Sequence, residues 1–312
     1  MPENYRVDFE KSRAALKEIL FRRMPEAGNY PTHVDGFVLH RYNSGADPKP
    51  NFYEPVIIVV VQGKKRVRIG AEDIAYGDRS CFIAGVNMPV SSCVVEASDE
   101  KPYLSMSLNL DKSLIATLAA KVPPSSGPGS HFSAGAVVQE LDAELLDAFL
   151  RLLELAEREE QAEVLGSLVF QEIHYRLLAS PFGGQLRMLN TFGSQSNQIT
   201  QAIAWLRNNY TKPLHVDELA GRLNMATSTF HKHFKDITTL SPLQYQKRLR
   251  LSEAQRLMLS GDCDATQAAF AVGYESPTQF SREYKRLFGE SPRKDVMRMR
   301  VTPDGGRDLA MV

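Results

Sequence analysis

The sequence has little of what secreted, membrane-spanning or metal-binding proteins need. Its three cysteines, Cys81, Cys93 and Cys263, are too few for a disulfide framework and lack the spacing of metal ligands. No apolar run approaches the roughly 20 residues of a membrane helix, and the longest is Val56–Val61. The N-terminus has no apolar signal core. We therefore expect a cytoplasmic protein that does not enter a membrane.

The chain also lacks net charge, because 37 basic residues balance 37 acidic ones. The balance conceals an asymmetry along the chain. Residues 1–195 carry 20 basic and 25 acidic side chains, whereas residues 196–300 carry 16 basic and 10 acidic ones. A basic second half suits a polyanionic partner. The length of 312 residues indicates two domains.

The first half reads as a β domain with helices around it. The segment Phe9–Arg22 has the periodicity of an amphipathic helix. Short apolar runs, separated by Gly, Pro, Asn or Asp, then predict an antiparallel sandwich or small barrel. Pro123–Gly129 is predicted to be a loop. The predicted strands are 36–42, 55–61, 65–70, 80–85, 89–97 and 102–110.

Two amphipathic helices are predicted to follow, at 141–156 and 164–179. Their apolar stripes either pack against the β domain and each other, or one of them also forms a homodimer interface. Glycine and polar residues at 182–197 indicate a linker. We thus predict a first domain at 1–181, a linker at 182–197, a helical domain at 198–300 and a flexible tail at 301–312.

One pattern occurs twice in the helical region, 50 residues apart. The segments are TSTFHKHFK at 227–235 and PTQFSREYK at 277–285. On a helical wheel, Phe230 and Phe234 share a face in the first, as Phe280 and Tyr284 do in the second. Upstream the offset falls to 49, so the second unit has one more residue in its turn. Such self-similarity indicates a structural repeat.

Each unit has the residue pattern of a helix-turn-helix motif, whose second helix enters the DNA major groove. Asn224 and Gly273 suit the turns, and Ser276 suits a helix N-cap. A helix at 241–260 joins the units; about 18 residues span roughly 27 Å, close to one DNA turn. The candidate DNA contacts lie on the faces opposite the aromatic pairs or flank those faces. They are Ser228, Thr229, His231, Lys232, Lys235, Thr278, Gln279, Arg282 and Lys285.

The chemistry of these side chains assigns them provisional roles. Gln279 suits adenine, Arg282 suits guanine or phosphate, and Lys235 and Lys285 suit phosphate. Residues 199–300 resemble the AraC/XylS-type DNA-binding domain through IAWLRNNYTKPLHVDELAGRLNMATSTFHKHFK, SPLQYQKRLRLSEAQRLM and VGYESPTQFSREYKRLFGESP. Residues 10–120 resemble the cupin-like N-terminal domain of an AraC-type subgroup through FYEPVIIVVVQGKKRVRIG and VVEASDEKPYLSMSLNLD.

The resemblance implies an α+β two-domain protein: an N-terminal cupin-like β-barrel with flanking helices and a C-terminal all-α domain with two helix-turn-helix motifs. It further implies a bacterial transcription regulator, an activator that can also repress. Its expected partners are double-stranded DNA, a small-molecule effector, RNA polymerase and a second copy of the chain, with no cofactor. The alternative is a cupin-type metal enzyme fused to a DNA-binding domain, although the barrel segment offers only His33 and His40 as imidazole ligands.

Three positions depart from the family pattern. Ala226 replaces a capping Ser or Thr, so the first recognition helix is expected to start at Thr227 or to fray. Thr239 replaces a glycine, and Asp295 replaces an aromatic residue. Cys81 and Cys93 fall in predicted strands, where packing is the ordinary role and redox sensing is the alternative.

Overall fold

The computed structural model describes residues 8–122 and 135–301. Strands dominate as far as residue 140, and every later element in the described chain is a helix. The predicted loop at Pro123–Gly129 and the predicted tail beyond residue 301 lie outside these ranges.

The strands of the described residues form two antiparallel sheets. The larger has the order β1-β2-β9-β4-β7-β10, and the smaller has the order β3-β8-β5-β6. The bounds are β1 Gly28–Pro31, β2 Phe37–Tyr42, β3 Lys49–Tyr53, β4 Val56–Gln62, β5 Lys64–Ile69, β6 Glu72–Gly77, β7 Ser80–Ala84, β8 Met88–Glu96, β9 Tyr103–Asn109 and β10 Ala136–Glu140.

Strand β4 shows why the longest apolar run of the chain forms a central strand. Alternate side chains of a strand point to opposite faces of its sheet. Ile57 and Val59 enter a core cluster shared with the helices, whereas Ile58 and Val60 enter a second cluster between the two sheets. Both faces of β4 are therefore buried, which explains why it has no polar alternation.

Within the described residues, five helices before residue 182 flank the β domain. Their bounds are α1 Phe9–Arg23, α2 Lys112–Ala119, α3 Ala143–Leu155, α4 Glu159–Ala162 and α5 Leu165–Ala179. Helix α1 packs on α3, and α3 packs on α5. The apolar stripe of α3 is fully buried, but Val164 and Leu168 at the start of α5 are 64% and 59% exposed. The first predicted alternative, that both stripes are covered by this chain, thus holds for α3 and only partly for α5.

The predicted cupin-like β domain with flanking helices is confirmed, with a qualification about its closure. Its sheets share one core cluster, as a sandwich or barrel requires. However, the described strands remain two separate sheets rather than one closed barrel.

The segment predicted as a linker, 182–197, contains helix α6 at Gly183–Asn190 and the start of the next helix. Phe182, Leu186 and Leu189 are almost completely buried. The polar composition of this segment therefore did not indicate its helix. Its three large apolar residues lie one or two helical turns apart, so they share one face and anchor the helix in the core. The domain boundaries themselves remain predictions.

The C-terminal region is all helical, as predicted. Its helices are α7 Gln195–Asn209, α8 Val216–Arg222, α9 Thr227–Thr238, α10 Pro242–Ser260, α11 Ala265–Ala271, α12 Pro277–Phe288 and α13 Pro292–Val301. A third core cluster lies among α10, α11, α12 and α13.

Candidate nucleic-acid interface

Helices α8 and α9 form the first helix-turn-helix. The turn between them depends on Asn224, whose φ of 54° lies in the left-handed region. Asparagine tolerates this conformation better than most residues. The Met225 N–H donates to the Ala220 carbonyl at 3.0 Å and closes the turn. The turn residue chosen from the sequence is thereby confirmed.

The first recognition helix begins at Thr227, as the missing cap predicted. Ala226 takes the extended backbone of an N-cap, and no side chain caps the helix. Instead, the Thr227 hydroxyl donates to Asp217 Oδ1 at 2.8 Å and ties α9 to α8. A tertiary hydrogen bond therefore holds the start of this helix in place of a local one.

Helix α9 separates an aromatic face from a polar one. Phe230 and Phe234 are fully buried, and their rings lie 5.5 Å apart. The predicted contact residues of α9 lie in solvent or half in solvent. Thr229 is half-buried, and the exposed residues are Ser228, His231, Lys232 and Lys235.

Helices α11 and α12 form the second helix-turn-helix, and its connection is one residue longer, as predicted. Four residues separate α8 from α9, and five separate α11 from α12. Gly273 in this turn has a φ of 87°, and a Cβ there would lie 2.2 Å from the Thr211 carbonyl oxygen. Only glycine fits this position. The Ser276 side chain accepts from the Gln279 N–H at 3.3 Å and caps α12.

Helix α12 repeats the two-faced pattern of α9. Phe280 and Tyr284 are fully buried, and their rings lie 5.5 Å apart. The four predicted contact residues of this helix are exposed: Thr278, Gln279, Arg282 and Lys285. The Gln279 side chain does not complete a capping box and donates to Glu283 Oε1 at 3.3 Å.

The sequence reading missed Glu283, which holds α12 in place. Lys247 Nζ on α10 donates to it at 2.9 Å, and the Tyr274 hydroxyl at the end of the turn donates at 2.8 Å. Burial raises the pKa of the Glu283 carboxyl, but the hydrogen bonds from Lys247, Tyr274 and Gln279 outweigh burial, so its pKa is lowered overall. Its position four residues after the recognition-face residue Gln279 could not distinguish it from a surface carboxylate.

Helix α10 joins the two units and is built as a rod. Ser241 and Gln244 form a capping box at its start, and Gly261 ends it in the left-handed conformation. Its 19 residues span about 28 Å. Arg250, midway along, donates to the carbonyl oxygens of Tyr210 at 2.6 Å and Gly273 at 2.8 Å. This guanidinium thus ties the rod to the end of α7 and to the second turn.

The β domain packs directly on this rod. The Tyr245 hydroxyl on α10 donates to the backbone carbonyl of Asn87 at 3.0 Å. The Tyr245 ring meets Phe52 of β3 edge-on at 5.2 Å and Phe234 of α9 at 5.4 Å. Arg207 on α7 pairs with Glu54 at 2.5 Å. One core cluster therefore continues from between the sheets into the first helix-turn-helix.

The histidines and cysteines of the β domain, within the described residues, do not form an evident metal site or a reactive thiol. His40 is buried, and its ring nitrogens meet Asn29 and Ser107, whereas His33 is exposed. Residues 8–122 and 135–301 contain no group of three or more His, Cys, Asp or Glu side chains able to hold a metal ion. Burial raises the pKa of the Cys81 thiol to about 12 and also raises that of Cys93, which disfavours the reactive thiolate.

Two known families match the chain. An AraC-type transcriptional regulator N-terminus matches residues 33–185, and a helix-turn-helix domain matches residues 219–297. No helix within the described ranges has the length and apolar character to cross a membrane.

Curated relatives are similar in sequence to this chain over part of their length. The transcriptional activator RhaS of Pectobacterium carotovorum subsp. carotovorum (strain PC1) is 32% identical over 101 residues, 32% of this chain and 36% of that protein. RhaS of Yersinia pestis bv. Antiqua (strain Angola) is 28% identical over 159 residues, 51% of this chain and 55% of that protein. The chain thus spans between a third and rather more than half of these relatives.

Solved structures extend the likeness to both domains. ToxT from Vibrio cholerae strain SCE256, bound to an unsaturated fatty acid, has a TM-score of 0.55 and 12% identity, over 84% of this chain and 95% of that one. At this identity the likeness shows the fold. Together, the two family matches, the relatives and the doubled helix-turn-helix show that the chain belongs to the AraC family of transcriptional regulators.

Proposed function

We propose that the protein is a sequence-specific DNA-binding transcription regulator whose α9 and α12 read two successive major-groove segments. The observation that carries this proposal is the repeated two-faced helix. In both units the aromatic pair is buried, and polar and basic side chains at equivalent positions are exposed. A helix that offers such side chains to a groove can contact base edges and phosphates together.

The exposed residues have distinct proposed roles. Gln279 and Arg282 read bases in the second half-site, since their side chains match adenine and guanine respectively. Lys235 and Lys285, nearer the helix ends, hold phosphates and position the protein. Ser228, Thr229, His231, Lys232 and Thr278 complete the contact surface. The 3.3 Å bond from Gln279 to Glu283 orients its amide before DNA arrives.

A titration on DNA upstream of the protein's own and neighbouring genes tests this proposal, at two salt concentrations and against a scrambled duplex. Arg282→Ala is expected to weaken the specific complex by about 1–3 kcal/mol and to relax sequence selectivity. Lys235→Ala is expected to weaken all duplexes alike and to reduce the salt dependence. Arg79→Ala, an exposed arginine of the β domain, is the matched control. Equal binding of wild type and Arg282→Ala to all duplexes would refute the proposal.

The β domain is proposed to receive a small-molecule effector. ToxT, which has the same fold, is described as bound to an unsaturated fatty acid and to (E)-4-(8-methylnaphthalen-1-yl)but-3-enoic acid. An effector can control transcription only by binding two states of the protein unequally. RhaS is described as an activator, so we infer activation through contact with RNA polymerase, with repression as a second output. The protein would work in the bacterial cytoplasm, where its DNA target lies.

Helix α5 supports a homodimer. Val164, Leu168 and Tyr175 are 64%, 59% and 49% exposed and lie at helical spacing on one side of it. A second copy can cover this stripe by twofold symmetry. Leu168→Lys is expected to shift the protein from dimer to monomer in analytical ultracentrifugation, whereas Met188→Lys, at an equally exposed apolar residue of α6, leaves the mass unchanged. A wild-type monomer at high concentration would refute the dimer.

A further inference from the structure

A cleft of about 480 Å³ opens where the β domain meets α7 and α10. Its volume lies in the range of small-molecule sites. The helical wall of the cleft belongs to the DNA-binding half of the chain, and Phe52 and Leu249 in its lining also belong to the core cluster that continues from the sheets into the first helix-turn-helix. The lining residues that matter here are Phe52, Glu54, Arg207, Leu249, Glu253 and Arg256.

The charged groups of this lining are balanced and arranged in two pairs. Arg207 meets Glu54 at 2.5 Å across the domain boundary, and Arg256 meets Glu253 at 2.9 Å along α10. The side chains of the arginines are 38% and 55% exposed, and those of the glutamates are 21% and 22% exposed. Both pairs are therefore reachable from solvent and can exchange partners with an incoming ligand.

The equal number of positive and negative side chains in the lining favours a ligand without net charge. A ligand with one net charge would leave an uncompensated charge in a partly desolvated cleft, which is costly. A zwitterion can exchange partners with both pairs and leave the four charges of the lining matched. Phe52 and Leu249 contribute apolar atoms to the same lining, although they are only 6% and 5% exposed, and such atoms suit an apolar side chain.

We propose that this cleft binds a free α-amino acid with an apolar side chain and that this ligand is an effector of the protein. The ligand carboxylate meets Arg256 and Arg207, and its ammonium group meets Glu253 and Glu54. Because the lining comes from both domains, the ligand favours the state in which the β domain is docked on α10. The regulatory half of this inference rests on the proposed function in DNA binding.

Calorimetric titration of the full-length protein tests the binding half. The probes are L-leucine, L-methionine and L-phenylalanine. N-acetyl-L-leucine serves as the monoanion and L-leucinamide as the monocation. At least one amino acid is expected to bind saturably, with dissociation constants in about the micromolar to millimolar range. The blocked forms are expected to bind at least about tenfold more weakly. The monoanion also tests whether the positive charge of Lys112 contributes to binding, because this charge interacts with Arg207 and Glu54 from outside the lining.

Matched variants locate the site. Arg256→Met is expected to weaken amino-acid binding at least about tenfold, while its thermal melting confirms an intact fold. Arg79→Met, which removes an exposed paired arginine far along the chain, is expected to leave binding unchanged. Absence of saturable binding by all three amino acids, equal binding of a blocked form, or binding that survives Arg256→Met would each overturn the inference.

A DNA titration of the same preparation separates this inference from the proposed function. The amino acid is expected to change the affinity for the specific duplex about 5- to 150-fold, the usual range of allosteric coupling. Selective DNA binding without amino-acid binding would refute the cleft alone. Amino-acid binding that leaves the DNA affinity unchanged would refute its role as an effector. Loss of selective DNA binding in every condition would refute the proposed function.

Discussion

The contact between Tyr245 and Asn87 offers a direct measure of how firmly the two domains are joined. Tyr245→Phe keeps the ring between Phe52 and Phe234 but removes the hydroxyl that donates at 3.0 Å to the Asn87 carbonyl. Asn87 is 3% exposed, so water cannot easily replace the lost donor. An unsatisfied buried carbonyl costs about 1–3 kcal/mol. We expect the free energy of unfolding to fall by that amount.

Urea denaturation followed by tryptophan fluorescence measures this loss, because Trp205 is the single tryptophan of the chain and lies on α7 beside Arg222. Tyr30→Phe is the matched control. The Tyr30 hydroxyl also donates to a backbone carbonyl, that of Glu26 at 2.9 Å, but in an exposed turn. Water can replace that bond, so the control should change stability by less than about 0.5 kcal/mol.

The comparison of the two variants decides the matter. Equal stability of Tyr245→Phe and Tyr30→Phe, at an unchanged denaturant slope, would show that the domain contact contributes nothing in solution. The reasoning that places a continuous core across the domains would then be wrong. For a protein of this size, a loss of about 1 kcal/mol should also lower the melting temperature by about 1–2 °C.

Three further changes follow from the same contacts. Ala226→Ser supplies the missing N-cap of α9 and should stabilise the protein by about 1 kcal/mol in urea denaturation. Asp295→Ala removes a buried acceptor that holds the Tyr284 hydroxyl at 2.8 Å, and should destabilise it by about 2–4 kcal/mol. Burial lowers the pKa of His174, whose ring accepts the Asp111 N–H at 2.9 Å. Its contribution to stability is therefore complete above pH of about 6.5, the value of the unfolded chain, and is lost as the pH falls below it.

Each of these changes has its own check. Ala226→Gly should gain far less than Ala226→Ser, and equal gains would contradict the capping argument. Asp295→Asn retains one acceptor oxygen and should lose less than Asp295→Ala. His174→Gln should flatten the dependence of unfolding free energy on pH between about 7.5 and 5.5; an unchanged slope would mean that another group titrates there.

The helix-turn-helix units could be predicted because their signals are local. The burial of Phe230 and Phe280, the left-handed Asn224 and the longer second turn all follow from spacing within one or two helical turns. Strands such as β4 were predictable for the same reason, since a run of β-branched residues suffices.

Other elements depend on partners that are distant along the chain, so no local pattern of residues predicts them. Strand β3 contains Pro50 and Asn51, which read as loop, yet it pairs with β8 at the edge of its sheet, where proline is tolerated. Lys65 lies in the basic run KKRVR at 64–68, a pattern typical of a solvated strand edge. It is only 2% exposed, because it points to the same side of β5 as the buried Val67 and Ile69.

The interactions that set the site in place were the hardest to foresee. Arg250, Glu283 and Tyr245 all lie on helices with ordinary sequences, and each has a hydrogen-bond partner outside its own helix, 9 to 158 residues away along the chain. Only the folded topology shows which of the many arginines, glutamates and tyrosines carries such a contact.

The core cluster that passes from the sheets into the first helix-turn-helix limits how this protein can be recombined. A chimera that takes α7 to α13 and joins them to another regulator's β domain would strip the cover from Tyr245, Phe234 and Ile237. It would succeed only if the donor supplies counterparts of Phe52 and of the carbonyl at Asn87. The two halves must therefore be exchanged together, as a matched pair.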